Sequence, residues 1–223
     1  MATAMALTLH GRAMGVNPWK VAIILEELGV SYKHKLWAFP DLKKEPFESL
    51  NPNGRVPALE DPNTGVTIFE SGAIIDYLLD TYDKSNKLSP GIDKPSQKYA
   101  MRSWRDFQMS GQGPYFGQGV WFTKYHPEKL ESARERYRKE ARRIVGVIDR
   151  HLNKQKTEYL TGSVASYADL MFVPWNIALE MLLPEGTDLA TEFPNFNSWW
   201  QKILARPMVA KVLAEREKAI ASL

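Results

Sequence analysis

With 223 residues, 44% of them hydrophobic, the chain can bury a sizeable core and fits one large domain or two small ones. Its 29 basic and 26 acidic residues leave a formal charge of +3, too small an excess to imply a nucleic-acid partner. There is no cysteine, which excludes disulfides, thiolate metal sites and a protein-borne thiol nucleophile, so any sulfur chemistry has to come from a bound molecule.

Residues 6–10 (ALTLH) alternate as a short strand, and residues 11–16 break the pattern. A helix follows: Asn17 suits the N-cap, Pro18 the first turn, and Val21, Ile24, Leu25 and Leu28 form an apolar stripe that stops at Gly29. Residues 31–37 read as a second strand parallel to the first, and residues 40–53 as loop with a helical turn. Residues 56–60 and 66–69 make a hairpin around DPNTG, and Ser71 opens a helix that buries Ile74, Ile75, Leu78 and Leu79. The order is βαβ, then ββα, which sets a first domain at residues 1–86. Residues 87–95 have linker composition. Beyond them, residues 96–109, 127–152, 166–183 and 195–218 carry helical spacing, so residues 96–223 are expected to form an all-helical domain. No apolar run approaches the roughly 20 residues of a membrane helix, and residues 1–9 are too short for a signal peptide. A cytoplasmic location without a membrane partner is expected.

Val56-Pro57 is a candidate cis peptide, a geometry that would turn the backbone N–H and C=O of Val56 outward to pair with a peptide ligand as if it were another strand; taken alone, the dipeptide reads more simply as an ordinary strand start. Ser71, at a helix N-terminus, favours an anion such as a carboxylate, and Glu70 before it can accept from an ammonium; the plain alternative is a Ser N-cap beside an exposed Glu. Joined by one hairpin, the two motifs describe an edge for a small peptide-like molecule. Gly111, Gly113, Gly117 and Gly119 lack the Gly-Lys-Ser/Thr of a phosphate loop. Ser166 and Asp169 make a capping box with Asp in place of Glu or Gln, a folding feature. The four histidines show no metal-ligand spacing, so no metal is expected.

The βαβ-ββα order with NPNGRVP (51–57) and FESGAI (69–74) resembles the cytosolic glutathione transferases. WRDFQMSGQGPYFGQG (104–119), ARERY (133–137) and ADLMFVPWN (168–176) resemble the branch that holds the fungal nitrogen-regulator-like enzymes and the bacterial nu-class disulfide reductases. The resemblance implies a thioredoxin-like N-terminal domain, an all-helical C-terminal domain, a homodimer, and glutathione as co-substrate. Carried over by position, Val56 would bind the cysteinyl backbone, Glu70 and Ser71 the γ-glutamyl end, and Lys43, or Lys44, the glycyl carboxylate. Asn17 would donate to the glutathione sulfur and Arg136 would reach the site from the charged segment 131–150. Met14 stands where relatives carry a hydroxyl, and Pro18 where they carry a glycine. Met14, Tyr115 and Trp121, with Phe116 and Phe122 nearby, would line the acceptor pocket, although aromatics at this density also suit a core. The function implied is attack of a glutathione thiolate on a small apolar electrophile. Disulfide or peroxide reduction, cis-trans isomerisation in fungal secondary metabolism, and a non-catalytic regulator are the alternatives.

Overall fold

The alternation near the N-terminus becomes strand β1 (Leu7–Gly11), which helix α1 (Asn17–Leu28) connects to β2 (Tyr32–Leu36). The structure is a computed structural model that describes residues 4–223. A short 3-10 turn (Phe39–Lys43) and one-turn helix α2 (Phe47–Leu50) precede the hairpin of β3 (Ala58–Asp61) and β4 (Val66–Phe69), and α3 (Ser71–Tyr82) follows. The sheet order is β2-β1-β3-β4, with β1 parallel to β2 and antiparallel to β3.

α1 ends as its sequence predicts: Gly29 takes a left-handed φ of 68° and its N–H returns to the carbonyls of Leu25 and Glu26. Its burial is wider than one stripe, because Val21, Ala22, Ile23, Ile24 and Leu25 are all fully covered. The reason is the C-terminal helix Pro207–Ala221, which packs on α1 beside β1 and α3. Arg206 grips the buried Glu27 carboxylate through Nε at 2.7 Å and Nη2 at 2.8 Å, and Lys211 pairs with Glu26 at 2.8 Å. A buried carboxylate requires such a partner. The chain accordingly divides into one unit running to Leu88 and resuming at Arg206, and a second, Ser89–Ala205. The helix at 207–221 thus packs with the first unit in space, although in sequence it follows the helical segment.

The second unit contains α4 (Pro95–Phe107), a π-helical turn (Gln108–Gln112), α5 (Gly113–Val120), a second π-helical turn (Trp121–Tyr125) and the long α6 (Glu131–Gln155). The single helix expected over 166–183 is three short ones, α7 (Tyr167–Leu170), α8 (Val173–Asn176) and α9 (Leu179–Leu182). Pro174 explains the break before α8, since it has no N–H to continue the ladder. α10 (Leu189–Glu192) and α11 (Pro194–Leu204) complete the unit. The expected helix 195–218 likewise splits, because Arg206 before Pro207 is extended at φ −68° and ψ 128°, as a residue before proline prefers. The C-terminal helix is α12 (Pro207–Ala221).

Ile144 and Ile148 of α6 are buried in the core of this unit with Leu170, Phe172, Phe196 and Trp199, and α6 packs on α11. At its polar centre, Asp169 accepts from Leu160 N (2.8 Å), Ser166 N and Oγ (both 2.9 Å) and Trp199 Nε1 (2.9 Å). Burial pushes its pKa up, against the pull of those four donors. The Ser166–Asp169 capping box is present as read from the sequence.

Candidate functional site

The hairpin register gathers the two sequence motifs. Ala58 pairs with Phe69 on β4 and with His10 on β1, so Val56-Pro57, Glu70-Ser71 and the loop after Gly11 emerge at one end of the sheet. The Val56–Pro57 bond is cis, and Val56, half-buried, lies outside the paired register that starts at Ala58. A Cβ on Gly15 would stand 3.2 Å from Val56 Cγ2, so the absence of a side chain there lets the β1–α1 loop close onto Val56.

At the start of α3 the expected assignment shifts by one residue. Glu70, not Ser71, occupies the N-cap position, at φ 71° and ψ 122°, a backbone conformation that side chains other than glycine avoid. Ser71 is the first helical residue and only 3% exposed. No side chain caps this helix, so its first N–H groups have no intrahelical acceptor, an arrangement that favours an anion, beside the exposed Glu70 carboxylate. Similarly, Val16 takes the N-cap of α1 and already has helical angles (φ −81°, ψ −45°), which leaves Asn17 as the first residue of the helix rather than its cap.

Lys20, one turn beyond Asn17, is the residue that sequence reasoning missed. It is 2% exposed within the apolar first turns of α1, and burial lowers its pKa to about 7, opposed by the Glu70 carboxylate. Its signal in the sequence was a lysine set between Trp19 and Val21, inside the apolar run.

Of the two lysines considered, Lys43 approaches the turn before Val56: its Nζ donates to Asn53 O at 2.6 Å, and its side chain covers Gly54, where a Cβ would lie 2.6 Å from Lys43 Cδ. Lys44 is exposed and pairs with Asp41 at 3.8 Å. The turn itself is held by the buried Asn51, which donates to Arg55 O (2.6 Å) and accepts from Asn53 N (3.0 Å). NPNGR is thus a local device that presents Val56. Met14, half-buried, lies in the β1–α1 loop. His10 is structural, with Nε2 2.6 Å from Glu60 and Nδ1 accepting from Trp37 Nε1 at 3.0 Å.

In the second unit, Tyr115 is half-buried with its ring 6.4 Å from that of Tyr137, which stacks on Phe122 at 5.6 Å. Trp121 is exposed, 6.0 Å from Tyr125. Phe116 is fully buried and belongs to the core rather than to a pocket wall. The neighbouring glycines serve packing: a Cβ at Gly117 would sit 3.2 Å from Trp175, and one at Gly119 only 2.7 Å from Leu182. Among the α6 arginines, Arg134 donates to Phe122 O and Thr123 O, and Arg142 pairs with Glu192. Arg136 is exposed and makes no ion pair among the described residues.

Comparison with known proteins places this geometry. The family model described as glutathione S-transferase, N-terminal domain, matches residues 9–86, and the one described as glutathione S-transferase, C-terminal domain, matches residues 116–216. The chain belongs to the glutathione S-transferase family. The glutathione S-transferase-like protein OpS6 of Beauveria bassiana is 45% identical over 217 residues, 97% of this chain and 98% of that protein. Among solved structures, glutathione transferase URE2P6 of Phanerochaete chrysosporium, in complex with oxidized glutathione, matches with a TM-score of 0.88 at 45% identity, covering 96% of this chain and 97% of that one. Ure2p5 of the same organism, cocrystallized with 1-(S-glutathionyl)-2,4-dinitrobenzene, matches with a TM-score of 0.88 at 35% identity over 100% of this chain and 99% of that one.

The four-stranded mixed sheet is thus the thioredoxin-like part of a glutathione S-transferase fold, and the helices from α4 onward are its C-terminal part. The N-terminal model spans Met14, Asn17, Lys20, Lys43, Val56, Glu70 and Ser71 together. No helix among the described residues is long and apolar enough to cross a membrane.

Proposed function

We propose that this glutathione S-transferase is an enzyme that holds glutathione along the Val56 and Glu70-Ser71 edge and directs its thiolate at a small apolar electrophile. The observation that carries this reading is the start of α3. Uncapped N–H groups and the Ser71 hydroxyl offer donors to a carboxylate, and the Glu70 carboxylate beside them offers an acceptor to an ammonium. That pairing matches the γ-glutamyl end of glutathione, where both groups sit on one carbon. In this reading the backbone of Val56 pairs with the cysteinyl unit as an added strand, and Lys43 faces the glycyl carboxylate.

Asn17 donates its side-chain amide to the sulfur, and the α1 N-terminus adds favourable partial charge, which together lower the thiol pKa. Arg136 supplies a cation for a ligand carboxylate or for charge developing at sulfur. The same reading assigns Met14, Tyr115 and Trp121 to the acceptor. The sulfur–carbon bond forms as the leaving group departs with its electron pair, the thiol proton having already gone to solvent. The conjugate bound by Ure2p5 supports this chemistry. A cytoplasmic homodimer is part of the same reading.

The oxidized glutathione bound by URE2P6 favours a second reading, disulfide reduction. There the thiolate attacks one disulfide sulfur, a thiolate leaves, and a second glutathione resolves the mixed disulfide to oxidized glutathione. Initial rates with 1-chloro-2,4-dinitrobenzene and with 2-hydroxyethyl disulfide, alongside calorimetric titration of glutathione, separate the possibilities. Saturable conjugation is expected. Turnover of the disulfide alone would replace the first reading with the second, and saturable binding without either turnover would make the chain a binding protein or regulator.

A further inference from the structure

We propose that the helical unit carries a second small-molecule site, built for an uncharged aromatic ketone or quinone. Within this unit, between α6, the end of α8, α9 and α11, lies a cavity of about 810 Å³, a volume that suits a drug-sized ligand. Leu183 and Trp200 supply its apolar wall, and Arg138 and Asn176 its donors. Arg138 is two residues from Arg136, roughly 200° around the α6 axis, so the cavity opens on the face opposite the arginine assigned to glutathione.

The recognition chemistry is set by a chain of buried amides. Gln108 Nε2 donates to Gln112 Oε1 at 2.9 Å, and Gln112 Nε2 donates to Asn176 Oδ1 at 2.7 Å. The Gln112 and Asn176 oxygens each accept from the preceding amide, so the series ends on Asn176 Nδ2, a donor with no partner on a residue 3% exposed. Arg138 Nε is a second buried donor without a partner, while its Nη1 is engaged by Glu131 at 2.9 Å. Buried donors left unmet are costly, and two in the wall of one cavity call for a ligand that brings acceptors. Both atoms are closed to bulk water, so the ligand carbonyl reaches them as the exposed Ile177 and Met181 side chains of the rim shift aside. The exposed Glu180 and Glu185 also border the cavity, and the Arg138 charge is already balanced by Glu131, which disfavours an anion. A carbonyl oxygen on a neutral aromatic frame fits both conditions.

Benzophenone is the direct probe, because irradiation attaches it to adjacent C–H bonds. In the intact protein it should label the 176–189 segment, and S-hexylglutathione should leave that labelling unchanged. Diphenylmethane, which lacks the carbonyl, and 4-benzoylbenzoate, which adds a negative charge, should each compete at least tenfold less well than unlabelled benzophenone. Thr187→Trp, at a half-buried rim position outside the glutathione machinery, should fill the cavity and remove the label while thermal midpoint and glutathione turnover stay at the wild-type level. Labelling spread over the chain, labelling displaced by S-hexylglutathione, or labelling retained in Thr187→Trp would overturn the site. Equal competition by diphenylmethane or 4-benzoylbenzoate would overturn the assigned ligand class.

Discussion

Replacing Glu70 tests whether the start of α3 is strained in the service of binding. Its φ of 71° and ψ of 122° correspond to a cost of about 1–3 kcal/mol for a residue with a Cβ. Glycine relieves that strain but raises the entropy of the unfolded chain, a penalty of roughly 0.5–1 kcal/mol against alanine. Glu70→Gly should therefore be more stable than Glu70→Ala by up to about 2 kcal/mol, the reverse of the order at a β or helical position. Both variants lose the carboxylate that supports the charge of Lys20, so this loss cancels in the comparison. Both should also lose an acceptor for the ligand ammonium, at about 1.5–3 kcal/mol, which is roughly 10- to 160-fold in glutathione affinity. Urea unfolding followed by circular dichroism gives the first quantity and calorimetry the second. A Glu70→Ala protein more stable than Glu70→Gly would refute the strain argument, and affinity within threefold of wild type would remove Glu70 from the ammonium site.

Asn17→Ala should raise the pKa of bound glutathione by about one unit, or 1.4 kcal/mol, in an ultraviolet titration of the thiolate, and an unmoved titration would exclude the amide from the mechanism. Asp169→Ala strands the N–H groups of Leu160, Ser166 and Trp199 and should cost about 3–6 kcal/mol in urea unfolding. Asp169→Asn, which can keep the Leu160 and Trp199 bonds by facing its amide toward Ser166, should cost about half as much; a loss under 1 kcal/mol in the alanine variant would contradict the network's role. Lys20, with its pKa depressed to about 7, binds its proton more weakly in the folded than in the unfolded chain. Stability should rise as pH goes from about 7 toward the unfolded lysine value near 10.5, and Lys20→Met should flatten that rise; an unchanged slope would mean that the amine is solvated.

The elements that were legible carry their own punctuation: Gly29 ends α1, the DPNTG turn joins β3 to β4, and Ser166 with Asp169 starts α7. What was not legible depends on neighbours distant in sequence. Ala22 and Ile23 are buried on a helix that α12 packs against in addition to β1 and α3, and nothing near residue 22 reports that. The breaks at Pro174 and Pro207 were written in the sequence, but apolar periodicity continues across both and outweighed them. At the site, Val56, Glu70 and Ser71 were readable as a pair of motifs, whereas the one-residue shift that puts Glu70 rather than Ser71 at the N-cap required the backbone angles. Lys20 escaped because periodicity treats a lysine in an apolar run as a gap in the stripe.

One physical criterion separates folding devices from binding devices in this chain. Asp169 is deeply buried and every donor around it has found an acceptor, so nothing remains for a ligand and the residue acts on stability alone. The edge at Val56 and Glu70 departs from that rule three times over: a residue outside the strand register, a side chain held at positive φ, and a helix that begins without a cap. Hydrogen-bonding capacity that the fold leaves unused is stabilised only when something else takes it up, and in the proposed function a peptide with an ammonium and a carboxylate on one carbon would take up the last two points together. The same criterion, applied in the helical unit, singles out Asn176 at the end of its amide chain. Gln108 and Gln112 are as buried as Asn176, but each donates to the next amide of the chain, and Asn176 is the one of the three that lines the cavity.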